Sequence, residues 1–297
     1  MKGLKNIFLV YLLLLVAAQS SFAQMDKVEK AMGLYATKKL DSANILINEA
    51  IKNPESAKDF QTWMIRGYIY KELYKANELK NPASPLRDSA AVSLVQSIEL
   101  DPDDKNPQKA SIVQSLKYIA STYHNDINKT LDTVGYKQSL INADKYVDII
   151  KLKEVEPTFN EKKYYYDVYS TIGSMFEKWF EQKSYKNLLD LAKSYLMKAY
   201  ELNNNTDFIN KNLGVLYYNQ AVDIIKKMDY DVPLDQLPIF QDQSIKLGQQ
   251  SLPYLLKANQ INPSDKSVIE GLAGIYYLLN DTEKYNEYKK KFEEMNK

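Results

Sequence analysis

One pattern limits what this chain can fold into more than any other feature. A small residue is followed three positions later by an aromatic one, five times over: Gly67 with Tyr70, Ala120 with Tyr123, Gly173 with Phe176, Gly214 with Tyr217 and Gly274 with Tyr277. Large or apolar residues stand before the first four small ones, as Trp63, Leu116, Tyr169 and Leu213 do. A second pattern follows each of these four: a small residue, an aliphatic four positions on, and a third residue three beyond. It reads Ala90, Leu94, Ser97; Ala143, Val147, Ile150; Ala192, Leu196, Ala199; and Ser251, Leu255, Ala258, with Ala43, Ile47, Ala50 ahead of the first pair. Spacings of three, four and seven place residues on one face of an α-helix, and no long alternating run argues for strands. The predicted fold class is all-α, built from antiparallel helix pairs.

Helix packing explains the small positions. A Gly or Ala where two helices cross lets their axes approach, and the aromatic residue one turn on fills the space beside the crossing. Gly costs about 0.5–1 kcal/mol relative to Ala inside a helix, so its repeated use there implies a steric requirement. Pro or Asn ends each second helix, at Asn53-Pro54, Asp101-Pro102, Glu156-Pro157, Asn203-Asn204 and Asn262-Pro263. Asp41-Ser42, Asp88-Ser89 and Ser264-Asp265 offer oxygens to cap the helices that follow. Asn81 to Pro85 and Asp229 to Pro238 read as surface connections.

Composition removes most chemistry. The 297 residues contain no Cys, which excludes thiolate catalysis, disulfides and Cys-ligated metals. His124 is the sole histidine, and one imidazole makes neither a triad nor a metal site. Lys+Arg number 39 against 38 Asp+Glu, so the chain lacks the basic excess of a general nucleic-acid binder. The lysines around Tyr285, Tyr288 and Phe292 alternate with Glu283, Glu287, Glu293 and Glu294, which reads as the solvated face of a terminal helix. Asp101-Pro102-Asp103-Asp104 begins like a calcium loop but continues with Lys105 and Pro107 and lacks the central glycine, so turn formation explains its carboxylates. Neither a catalytic residue nor a cofactor is expected.

The first 23 residues read as a signal peptide. Lys2 and Lys5 precede an apolar run from Ile7 to Ala18, and Ser21-Phe22-Ala23 ends in small residues suited to cleavage. Such a run makes a helix of about 18 Å, short of a bilayer core of roughly 30 Å. The expectation is a chain cleaved after Ala23, periplasmic or secreted, with no transmembrane segment afterwards and a repeat domain over 24–297. Six pairs are expected within it, at 24–54, 58–102, 107–157, 161–204, 206–263 and 264–297.

Trp63, Gly67 and Tyr70 in a first helix, Ala192, Leu196, Ala199 and Asn204 in a second, and the join from Ala258 to Pro263 resemble the tetratricopeptide repeat family. The resemblance implies an α-solenoid, a right-handed superhelix whose first helices line a concave surface for proteins or peptides. The small residues stand 53, 53, 41 and 60 positions apart (67, 120, 173, 214, 274), against about 34 in the family, so each unit carries longer helices or connections. Carried over unit by unit, the family's groove positions fall on Met64, Tyr68 and Lys71; on Lys117, Ser121 and His124; on Ser170, Ser174 and Glu177; and on Lys211, Val215 and Tyr218. The function implied is a non-catalytic scaffold for a protein or peptide partner in the cell envelope. With 24 Tyr, rings fall on several helix faces, so a module that binds a glycan or peptide through aromatic residues is the alternative.

Overall fold

The computed structural model describes residues 26–132, 134–183, 186–226, 228 and 232–296. The proposed signal segment lies outside them. All regular structure among the described residues is helical: α1 (26–36), α2 (Leu40–Ala50), a 3-10 turn (Ser56–Lys58), α3 (Phe60–Asn77), α4 (Pro85–Glu99), α5 (Lys109–Lys129) and α6 (Tyr136–Ile150) in one compact unit ending at Phe159. The second unit, from Asn160, holds α7 (Glu161–Lys183), α8 (Lys186–Leu202), α9 (Asp207–Lys226), α10 (Leu237–Ile261), α11 (Lys266–Leu278) and α12 (Thr282–Glu294). Consecutive helices pair, α3 with α4, α5 with α6, α7 with α8, α9 with α10 and α11 with α12. Each unit is therefore a stack of antiparallel pairs, the α-solenoid arrangement of tetratricopeptide-like repeats.

The two sequence patterns turn out to be the two halves of one contact. A Cβ added to Gly67 would stand 2.5 Å from Cγ of Leu94 and 3.2 Å from its backbone nitrogen. Gly173 faces Leu196 in the same way, with Cγ at 2.7 Å, and Gly214 faces Leu255, with Cγ at 2.6 Å. The glycine of each first helix thus receives the leucine of its partner, and a side chain there would strike backbone as well as a movable methyl. Ala120 and Val147, the corresponding residues of α5 and α6, are both buried.

The fifth small residue behaves differently. A Cβ on Gly274 would meet the Tyr218 ring of α9, with Cε2 at 2.7 Å, rather than its own partner α12. Tyr277 is 72% exposed, while Tyr276 stacks on Tyr288 of α12 at 5.6 Å. The inward face of α11 therefore starts one residue earlier than the sequence pattern placed it, at Ala273 and Tyr276. In α12, Tyr285, Tyr288 and Phe292 pack into the core of this pair while Glu287 pairs outward with Lys284 and Lys291, as a terminal helix requires.

Capping differs in detail from expectation. Asp265 accepts from the amides of Ser267 and Val268 at the start of α11, as the sequence indicates. Asp41 and Asp88 instead lie inside the first turns of α2 and α4; Ser84 caps α4 by accepting from the Arg87 amide at 3.0 Å. Both helices begin earlier than the Asp-Ser steps, and a carboxylate in the first turn still meets the positive end of the helix dipole. The Asp101 carboxylate accepts from the amides of Lys105 and Asn106 at 2.9 and 2.8 Å, so it closes a turn.

A buried ion pair joins successive pairs in the first unit. Arg87, fully buried on α4, donates to Oδ2 of Asp126 on α5 at 2.7 Å and to the Pro82 carbonyl at 2.7 Å. Its guanidinium lies 4.0 Å from the Tyr123 ring centroid. One side chain therefore fixes α5 and the 81–85 connection against α4.

Candidate functional site

The first unit gathers aromatic rings and ammonium groups along its first helices. Tyr35 of α1 and Tyr68 of α3 stack with centroids 6.4 Å apart. The Lys71 Nζ lies 5.1 Å from the Tyr68 centroid and donates to Oγ of Ser115 on α5 at 3.0 Å. One turn on, Lys75 lies 5.0 Å from the centroid of Tyr118, also on α5. Lys38, in the turn after α1, lies 5.7 Å from the Tyr35 centroid. These positions share a face because Lys71 and Lys75 are four apart on one helix and α1 and α5 flank it.

The charges on this face do not balance. Glu72 pairs with Lys75 at 3.1 Å and with Lys38 at 3.9 Å. Lys71 has only a neutral hydroxyl acceptor. Burial pushes its pKa below the usual lysine value, and the neighbouring Lys75 adds to the effect against the opposing pull of Glu72. The Tyr68 hydroxyl is buried and has no hydrogen-bond partner among the described residues; burial first, then Tyr35, raises its pKa. Burial also raises those of Tyr35 and Tyr118. Three ammonium groups around one carboxylate make a face that attracts a carboxylate or another anion.

Of the groove residues expected from the sequence, Tyr68 and Lys71 belong to this cluster. Met64 does not, since it is buried and its sulfur receives the Asn106 amide at 3.9 Å. On α5 the side chains that reach the cluster are Ser115 and Tyr118, which face the preceding first helix. Lys117, Ser121 and His124 are exposed; the Ser121 hydroxyl donates to the Tyr118 carbonyl at 2.7 Å, and the His124 ring lies 5.3 Å from Tyr146 of α6. No group of three or more metal-ligating side chains occurs among the described residues.

The remaining candidates lie in the second unit. Ser170 is buried and Ser174 half-buried on α7, their hydroxyls without partners among the described residues. Glu177 lines a cleft of about 360 Å³ with Leu216, Asn219 and Asp223 of α9. Lys211 donates to the capping carboxylate of Asp265 at 2.7 Å, and Val215 packs into the core of the last pairs. Tyr218 lies under Gly274, so α11 covers much of the α9 face that the sequence left open. Tyr35, Lys38, Glu72, Lys75, Ser115 and Tyr118 were not singled out from the sequence. Glu72 and Lys75, on α3 beside Lys71, carry a local signal; the others come into place through contacts between helices.

No family model matches the chain, and no curated protein matches it. Solved structures do. A human IFIT1 dimer with m7Gppp-AAAA shares 14% identity over 91% of this chain at a TM-score of 0.35, and the match spans 50% of the IFIT1 chain. PilW, a widely conserved type IV pilus biogenesis factor, shares 16% identity over 91% of each chain at a TM-score of 0.34. The TPR2AB domain of yeast Sti1, in complex with pHSP90, shares 16% identity over 93% of this chain and 99% of its own at a TM-score of 0.25. Identities this low and superpositions this loose assign neither a family nor a ligand to this chain.

Proposed function

We propose that this chain is a non-catalytic interaction scaffold of the cell envelope, and that the first-helix face of its first unit holds an acidic segment of a protein partner. One observation carries the reading: Lys38, Lys71 and Lys75 gather around the Glu72 carboxylate, with Lys71 left without a charged partner. An acidic side chain reaching Lys71 gives that ammonium the charged partner it lacks. The rings of Tyr35 and Tyr118 supply rigid apolar surface beside the charges. The absence of Cys and the single His in the sequence favour binding over catalysis.

The test is a library of peptides graded in net charge, titrated against the purified protein. Acidic peptides should bind, lose affinity as salt rises, and lose it again in a Lys71→Ala, Lys75→Ala double variant. Equal retention of acidic and basic peptides would overturn the reading. Export rests on the Lys2 to Ala23 pattern, and the intact mass of material recovered from the envelope tests it: a mass that retains Met1 to Ala23 would rule out cleavage there.

A further inference from the structure

The second unit contains a cleft of a different chemical character. It lies between the C-terminal half of α9, the first half of α10 and the end of α11, with a volume of about 890 Å³. That falls within the range of about 300–1,000 Å³ typical of small-molecule sites. Val222 and Ile225 of α9 and Ile245 of α10 form an aliphatic wall. Opposite stands Tyr277, 72% exposed, its ring 5.3 Å from that of Tyr285. A large ring presented to water beside a cavity is apolar surface available to a ligand.

Among the described residues lining the cleft, the polar groups are almost all uncharged. Gln241, Gln249 and Asn280 line it with amides, and Tyr218 with a phenol. Burial raises the Tyr218 pKa, with Glu270 adding to the effect, so the hydroxyl keeps its proton. Lys226 is the one charged residue among the described residues lining the cleft. Gly274 lets the Tyr218 ring pack directly against α11, because a Cβ there would strike that ring.

These features select a ligand class. An anionic ligand would find one ammonium where the first unit offers three, and a cation would find no carboxylate among the described residues lining the cleft, Glu270 acting on Tyr218 from beyond them. A purely apolar ligand would strip water from three amides and a phenol without replacing its hydrogen bonds. Amides and phenols both donate and accept, as neighbouring sugar hydroxyls do, and the C–H face of a pyranose suits an open tyrosine ring. We propose that this cleft binds a neutral oligosaccharide, with one sugar ring on Tyr277 and its hydroxyls bonded to Gln241, Gln249 and Asn280. This site is separate from the acidic-segment face, so either can fail without the other.

The experiment titrates the purified full chain with maltohexaose, cellohexaose, chitohexaose and mannohexaose, following tyrosine fluorescence and heat. At least one should saturate. Tyr277→Ala and Gln249→Ala alter exposed side chains, so both variants should keep wild-type circular dichroism and thermal unfolding while weakening that sugar at least about tenfold. Tyr68→Ala, in the other unit, should leave the affinity unchanged. The proposal is overturned if none of the four sugars saturates, if a saturating sugar survives both substitutions in the cleft, or if Tyr68→Ala abolishes its binding.

Discussion

At the scale of single residues, glycine and lysine carry the sharpest consequences. Gly214→Leu should destabilise the protein by about 1–3 kcal/mol, because the new side chain meets both the side chain and the backbone of Leu255. Gly33 on α1 is the natural control, as no atom lies within 4 Å of a Cβ built there. Gly33→Ala should therefore stabilise by about 0.5–1 kcal/mol through helix propensity alone. Thermal unfolding of the two variants checks both signs. Lys71 makes a pH prediction. Burial holds its free-state pKa below 10.5, and a bound carboxylate would raise it again. Acidic-peptide affinity should then be fully present near neutral pH and fall as pH rises through the free-state pKa, earlier than for an ordinary lysine. For stability the sign reverses: over the same window the unfolded chain binds more protons than the native one, so the contribution of Lys71 to stability rises with pH. Calorimetry between neutral pH and about pH 10 measures the first, and urea unfolding over the same range the second.

At the scale of elements, the ion pair of Arg87 and Asp126 is the contact whose loss should cost most. Asp126→Asn leaves a buried guanidinium without its counter-charge and should cost about 3–5 kcal/mol. The Arg87→Met, Asp126→Leu double variant should lose much less than the sum of its single changes, and a double-mutant cycle by urea unfolding reads the difference. This contact also marks where sequence reading stops. Helix pairing was legible because Gly67 and Leu94, or Gly214 and Leu255, repeat at helical spacing on both sides of a crossing. Arg87 gave no such sign, since its partners Asp126 and Pro82 come from the next pair and from a connection. The candidate face was half legible for the same reason. Tyr68 and Lys71 follow from position on α3, but Tyr35, Ser115 and Tyr118 join them only through the stacking of α1 and α5 on α3. The last pair shows the opposite error: Gly274 and Tyr277 fit the local pattern, yet α11 turns Ala273 and Tyr276 inward.

At the scale of the whole molecule, each unit has its own buried core and one tryptophan, Trp63 on α3 and Trp179 on α7. Repeat arrays are stabilised mainly by contacts within and between neighbouring pairs, so a local change should be felt most strongly nearby. In chains that keep only Trp63 or only Trp179, Asp126→Asn should shift the unfolding transition reported by Trp63 more than the one reported by Trp179. Equal shifts would show that the two units unfold as one. Export of the protein and binding of an acidic partner can each be tested without reference to this result.

The crossing of α5 and α6 points to how such an array can change over time. Three crossings set a glycine against a leucine, while in this pair the corresponding positions are Ala120 and Val147, both buried. Moving one carbon from the second helix to the first keeps the filled volume nearly constant, the kind of exchange that close-packed interiors tolerate best. Gly214→Ala alone should disturb its crossing, and Leu255→Val alone should leave a gap. Made together, the two changes should nearly cancel. Descendants of this sequence would then be expected to change these sites in pairs, leaving a coupled signature across distant positions where each site alone looks free to vary.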